Sequence, residues 1–307
     1  IDFADGEGIV NHAEGVLTYE GVIQIGKSGD PTFILGKGIS NLGQISNTNA
    51  GRMRIFQSGA AAFSNESGGE TTNEGTISIG GSSEGEVSGT GVSNNGVFTN
   101  QIGASLRIES VDLGVNNANS FTNAGELIFD VTGVDTSAYQ NGDEGSFANT
   151  GTIAGNASNF RFNTDLGGTI SPGFSPGRMT FGSNQRFLAG ALLKMEVDGT
   201  GEDEADLIQV NGVVNLNNLN LEVDVNYSPT NGDVIELIRA SVIAGNFASV
   251  DLPPGWTVSL GASVQISFDG SLLPVELTHF EALKADKSVS LKWATTTEID
   301  NEGFEVL

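Results

Sequence analysis

Short stretches in which apolar and polar residues alternate run through the first half of this chain. They are Val22-Ile23-Gln24-Ile25, Arg52-Met53-Arg54-Ile55, Thr76-Ile77-Ser78-Ile79, Ser105-Leu106-Arg107-Ile108 and Leu127-Ile128-Phe129. Alternation of period two marks a strand with one buried face, with the apolar members inside and Arg54 and Arg107 at the boundary or in water. Between these stretches one element returns five times, at residues 39–45, 71–77, 92–98, 121–127 and 147–153. It reads apolar-or-Thr, small, Asn, any, Gly, any, apolar. Its asparagines, Asn41, Asn73, Asn94, Asn123 and Asn149, follow one another at 32, 21, 29 and 26 residues. A period of roughly 20–30 residues with strand and turn signals and no helix signal predicts an all-β fold, a parallel β-helix or β-solenoid. At roughly 27 residues per coil and ~4.8 Å per coil, residues 1–168 give about six coils and a rod roughly 30 Å long. The five asparagines are expected at one place in each coil, where stacked amides form an internal ladder that satisfies buried donors and acceptors.

The pattern changes at residues 169–271. Ser171-Pro172-Gly173-Phe174-Ser175-Pro176-Gly177 doubles a Ser-Pro-Gly turn, each Pro pre-setting one corner and each Gly the next. The strands then lengthen, at 192–197, 207–210, 219–225, 234–238 and 264–268, and 219–225 alternates strictly, so that one face is buried and one is wet. The order of the Ser-Pro-Gly pair, an acidic loop, Asp206-Leu207-Ile208-Gln209-Val210-Asn211-Gly212, Gly232-Asp233-Val234-Ile235-Glu236-Leu237-Ile238 and Gly245-Asn246-Phe247 resembles the passenger-domain ends of bacterial autotransporter-like and related repeat adhesins. The resemblance covers about 100 residues. It implies that these residues are architectural, forming the tighter coils that close a β-helix. No membrane barrel follows them here, a departure from that pattern.

Residues 272–307 change again. Leu273-Pro274-Val275-Glu276-Leu277, the strand Leu291-Lys292-Trp293 and Asn301-Glu302-Gly303-Phe304-Glu305-Val306 resemble the opening of a fibronectin-III-like domain found near the C-termini of secreted Bacteroidetes proteins. That resemblance implies export by the type IX route and a core role for Trp293. A sandwich of this kind takes about seven strands and close to 100 residues, so this segment is the incomplete beginning of one. Val275, Leu277, Leu291, Trp293 and Phe304 are expected to be buried against residues outside it.

Composition narrows the partners. The chain has 307 residues, 43 Gly, 7 Pro, 17 Phe and no Cys. The glycine has no collagen period, and the apolar residues are spread evenly enough for a continuous core. The formal charge is −25, from 38 acidic against 13 basic residues. Clustered basic residues are what nucleic acid and anionic membrane surfaces require, so neither is an expected partner. No segment reaches the ~18 apolar residues of a spanning helix, so no membrane insertion is expected. The chain opens on Ile1, which reads as a processed or excised piece whose export signal has been removed.

Candidate chemistry is sparse. The acidic loop 199–206 carries Glu202, Asp203, Glu204 and Asp206. It reads as a solvated loop, or as a calcium site built of hard oxygen ligands, although the EF-hand order is absent. No other cofactor is expected. Two His (His12 and His279) and no Cys leave no metal-hydrolase, triad or thiol constellation. Gly36-Lys37-Gly38 is too short to cradle a phosphate. Parallel β-helices host pectin-degrading enzymes, and Asn163-Thr164-Asp165 matches one small motif of the polygalacturonase family. The other motifs of that family are missing, so the triplet reads as a turn. Among the aromatics Tyr19, Tyr139, Tyr227, Trp256 and Trp293, Trp256 follows a Pro-Pro-Gly turn and is the one placed to stack on a glycan. The expectation is a secreted or cell-surface structural or adhesive rod with no enzyme activity, which self-associates or meets other surface proteins. The alternative is a carbohydrate-binding or polysaccharide-degrading β-helix.

Overall fold

The computed structural model describes residues 6–26, 36–56, 58–81, 87–132, 136–174, 176–270, 277–285 and 288–295. It is a parallel β-solenoid of about nine turns: six coils stack on the first two faces before residue 168, as the repeat predicts, and the coils continue beyond it. There is no helix among the described residues.

Each early coil has three short strands, one on each of three faces. The first coil consists of Ile9–Asn11, Val16–Tyr19 and Val22–Ile25, and the second of Ile39–Asn41, Gln44–Asn47 and Arg52–Ile55. Each strand pairs in parallel with its counterpart in the next coil, so that Ile9 meets Ile39, Leu17 meets Ile45 and Ile23 meets Met53. Period-two alternation then stacks like on like. Ile25, Ile55, Ile79, Ile108 and Phe129 form one inward column on the third face. Aromatic rings fill the centre of the middle coils. Phe98 lies flat on Phe121 with centroids 4.8 Å apart, and Tyr139, Phe147 and Phe162 continue the stack. Each such pair contributes about 0.5–1.5 kcal/mol beyond its area burial.

The asparagines form two ladders at two of the corners. One runs Asn11, Asn41, Asn65, Asn94, Asn117, Asn141. In it each Nδ2 donates to the Oδ1 of the next residue at 2.6–2.9 Å. The other runs Asn47, Asn73, Asn100, Asn123, Asn149, with bonds of 2.6–2.7 Å. All of them are buried. The expectation of one equivalent position is therefore corrected. Asn41 and Asn94 stand in the first ladder, and Asn73, Asn123 and Asn149 in the second. The uneven spacing of 32 and 21 residues arose from stepping between corners; within a ladder the steps are 23–30 residues. Both corners need the same chemistry, so the local motif does not say which one it builds. A second bond from the same Nδ2 reaches a main-chain carbonyl of the next coil, as from Asn100 to Glu126 at 2.9 Å and from Asn94 to Ser120 at 2.9 Å.

The glycine two places after Asn is explained by close approach. Gly43 and Gly75 do not take left-handed φ. A Cβ at Gly43 would collide with the carbonyls of His12 and Gly15, and one at Gly75 with those of Thr48 and Gly51. The chain in one coil lies directly on the carbonyls of the coil before it, and only a hydrogen fits there.

The solenoid reorganises within the strand Thr152–Phe160. Its first half pairs with Thr169–Pro172 and its second half with Arg178–Phe181. Gly155 at φ 106° and Asn159 at φ 58° bend the chain between and beyond these pairings. One row then continues through Ala191–Val197, Leu219–Val225 and Ser249–Asp251. The other passes through Leu207–Asn215 and Val234–Ala244, then turns antiparallel through Ser263–Phe268 and Trp256–Leu260. This antiparallel pair covers the last parallel strand of its row. Beyond it Leu277–Ala285 and Ser288–Thr295 form a separate hairpin, with Phe280 opposite Trp293.

Asn123 donates to Asn149 at 2.7 Å and to the Thr152 carbonyl at 3.2 Å, and accepts from Asn100 at 2.7 Å. Asn123→Ala strands buried partners on both sides and is expected to cost about 1–3 kcal/mol in urea unfolding. A change within about 0.3 kcal/mol would mean that the ladder contributes nothing measurable.

Candidate functional site

The four carboxylates of the acidic loop do not converge. Asp206 is buried. Its Oδ1 accepts from the Gly177 amide at 2.6 Å and its Oδ2 from the Glu196 amide at 2.8 Å. Glu204 turns back on its own loop and accepts from the Gly201 amide at 2.8 Å. Glu202 and Asp203 are exposed and face Arg178, with Nη2–O distances of 3.5 and 3.2 Å. No group of three or more His, Asp or Glu able to hold a metal ion occurs among the described residues. Glu202, Asp203, Glu204 and Asp206, expected together as a calcium site, are not brought together by the fold: both Asp206 oxygens accept main-chain amides, one Glu204 oxygen accepts the Gly201 amide, and Glu202 and Asp203 face Arg178. Asp206 is instead a clamp. Gly177 precedes the strand of one row and Glu196 lies in the other, so a single carboxylate ties the two rows together just after they part.

The remaining predicted residues are placed as follows. Asp165 pairs with Arg186 at 2.9 Å on the surface, and Asn163 takes left-handed φ, 55°, as a turn residue does. Lys37 pairs with Glu66. His279 lies 3.7 Å from Glu281 on the hairpin. Trp256 is buried against Tyr227 and Phe268, and Tyr139 is buried in the aromatic stack. The expectation of an exposed Trp256 is thereby corrected, because the antiparallel closing pair folds its ring into the end of the core. Trp293 is 38 % exposed and Phe280 61 % on the hairpin. Leu291 is half-buried. Val275, Phe304 and the side chain of Leu277 lie outside the described residues.

A feature with converging polar groups runs along the rod. Three concavities of about 410, 440 and 230 Å³ follow one another along the third face, the first at its corner with the first face. Thr132 lines the first two, and Arg178 and Ala205 line the second and third, so they form one groove. Asp112 and Asp130 stand at one end. Asn156, Ser158, Arg178 and Thr180 form the middle under Asp203, and Glu236 and Arg239 close the other end. The middle exists because the strand Thr152–Phe160 is long enough to serve both rows. The acidic loop then rises beside Arg178 as a wall.

The two arginines of the groove are paired, Arg178 with Glu202 and Asp203 and Arg239 with Glu236. Arg107 pairs with Glu109, the strand neighbour of Asp130. Burial, then the nearby Glu109, raises the Asp130 carboxyl above its ordinary value, with Arg107 opposing. The backbone amide of Arg178 donates to Asn156 Oδ1 at 2.8 Å, which fixes the Asn side chain in the floor. Arg107 also lies over the ring of Phe174, 4.8 Å from its centroid, and Phe174 is 43 % exposed. Sequence reasoning missed Asn156, Arg178 and Phe174. Only the doubled Ser-Pro-Gly turn hinted at this place.

Burial pushes the Asp206 carboxyl up to about 7, with Glu196 and Asp198 adding to the rise and the two amide donors opposing it. A carboxyl whose folded pKa lies above its unfolded value of about 3.9 gives stability that is full below that value and is lost as pH rises through the folded pKa. Wild-type stability relative to Asp206→Asn is therefore expected to fall between about pH 4 and pH 7, by at most about 1.4 kcal/mol per unit. Urea unfolding at pH 4, 5.5, 7 and 8 checks this; parallel pH profiles for the two proteins would refute it.

No protein-family model matches this chain and no curated protein matches it, so its role is read from the geometry above.

Proposed function

We propose that this chain is an extracellular structural or adhesive module, a β-helical rod that presents or assembles a surface appendage. The observation that carries this is the pair of asparagine ladders. They spend the buried polar chemistry of five successive coil steps on holding coils in register, which is what a stiff spacer needs. Export by the type IX route of a Bacteroidetes cell is the finer form of the proposal, supported by the resemblance of residues 272–307. Partners are a second copy or other surface proteins. The −25 charge disfavours nucleic acid and anionic membranes.

Two features support self-association. Ser249–Asp251 ends its row as an exposed strand, and an open strand edge invites pairing. The hairpin places Phe280, Trp293, Leu291 and Val289 on one face by cross-strand register. The −25 charge opposes random lateral contact but is screened within ~8 Å at physiological salt.

Sedimentation at 0.15 M and 0.5 M salt is expected to show an oligomer that shrinks when residues 272–307 are removed. A monomer under every condition would overturn the assembly reading. The protein is also expected to turn over no plant or algal polysaccharide. Hydrolysis or elimination that disappears in Asp165→Asn would overturn the non-enzymatic reading.

A further inference from the structure

We propose that the longitudinal groove on the third face binds a neutral, linear polysaccharide, with Phe174 as its stacking platform and Arg178 as its central hydrogen-bond donor. This goes beyond the rod and does not depend on assembly, since a rod can associate and bind no glycan.

The groove crosses five neighbouring strands, Glu126–Val131, Thr152–Phe160, Arg178–Phe181, Leu207–Asn215 and Val234–Ala244. Four strand spacings give a length of roughly 19 Å. That shape suits an extended chain and is far longer than one small molecule requires. The lining is polar but not one-signed. Asp130, Asn156, Thr180, Arg178, Asp203 and Glu236 offer acceptors and donors in alternation, the mixture that pairs with a row of hydroxyls. A polyanion would meet five carboxylates along the groove, Asp112, Asp130, Glu202, Asp203 and Glu236, within a chain of charge −25; a neutral chain meets no such repulsion.

Phe174, which stands beside the groove and not in its lining, adds the apolar element. Its loop also supplies Pro176 and Gly177 to the groove wall. Arg107 fixes the ring from one side and reaches Glu109, beside the groove residue Asp130. An aromatic ring held at a polar rim offers a flat apolar surface to the C–H face of a sugar. Arg178 is held by exposed carboxylates of the acidic loop. Exposed pairs of this kind are worth little, so its donors can be shared with a ligand at small cost.

The test is calorimetric titration of the full chain with cellohexaose, xylohexaose, mannohexaose and laminarihexaose, with hexagalacturonate as the acidic comparator. At least one neutral hexasaccharide is expected to bind, with its disaccharide about tenfold or more weaker. Phe174→Ala, at an exposed position, is expected to weaken binding about tenfold with an unchanged melting temperature. Asp203→Asn, in a side chain that is 90 % exposed, provides a second variant that leaves the fold intact and is expected to weaken binding severalfold. The proposal is overturned if no neutral hexasaccharide binds at millimolar concentration, if disaccharide and hexasaccharide bind alike, if hexagalacturonate binds tighter, or if both variants bind as the wild type does.

Discussion

A side-chain amide buried inside a β-coil must find partners, and everything else in this fold follows from how that requirement is met. An unsatisfied buried amide costs free energy on the scale of a lost hydrogen bond or more. Within the ladders an asparagine such as Asn100 or Asn123 accepts from the one before it and donates to the one after, and its second N–H reaches a carbonyl of the next coil, while at the start of the second ladder the buried Asn47 Oδ1 has no partner among the described residues. The arrangement works only if coils are stacked in strict register. A slip of one residue would turn the whole alternating strand inside out and break both ladders together. Register is therefore over-determined, by apolar columns on the faces and by amide columns at two corners.

The same stacking explains why glycine is fixed where it is. Gly43 and Gly75 sit over carbonyls of the preceding coil, so the corner is as tight as the chain permits. A tight corner in turn brings the asparagine of one coil within bonding distance of the next. Neither half functions alone, which is why Asn and Gly travel together through the first half of the chain.

Where the ladders end, the cross-section changes. The Nδ2 of Asn149 meets the Gly167 carbonyl at 2.7 Å in place of another asparagine, and from this level the strand Thr152–Phe160 feeds two rows. Holding two diverging rows together takes a group that can accept from both, and the Asp206 carboxylate does so with one oxygen each. The divergence opens the groove, and the loop that carries Asp206 to its place also raises Asp203 beside Arg178. The most distinctive surface of the molecule is thus a by-product of closing the coil.

The sequence by itself determined the all-β solenoid, the strands of the third face, the burial of its repeating asparagines and the turn nature of Asn163. These depend on local periodicity and residue chemistry, which one strand or turn displays unaided. The division of the asparagines between two ladders, the burial of Trp256 and the scattering of Glu202, Asp203, Glu204 and Asp206 were decided by the tertiary structure alone. The two corners have one motif between them, so the chain does not announce which is which. An aromatic after a Pro-Pro-Gly turn is exposed or buried according to what the closing strands do. Glu202, Asp203 and Glu204 stand in a turn that sends them apart, and Asp206 beyond it faces a buried pair of amides that only the folded coils bring together.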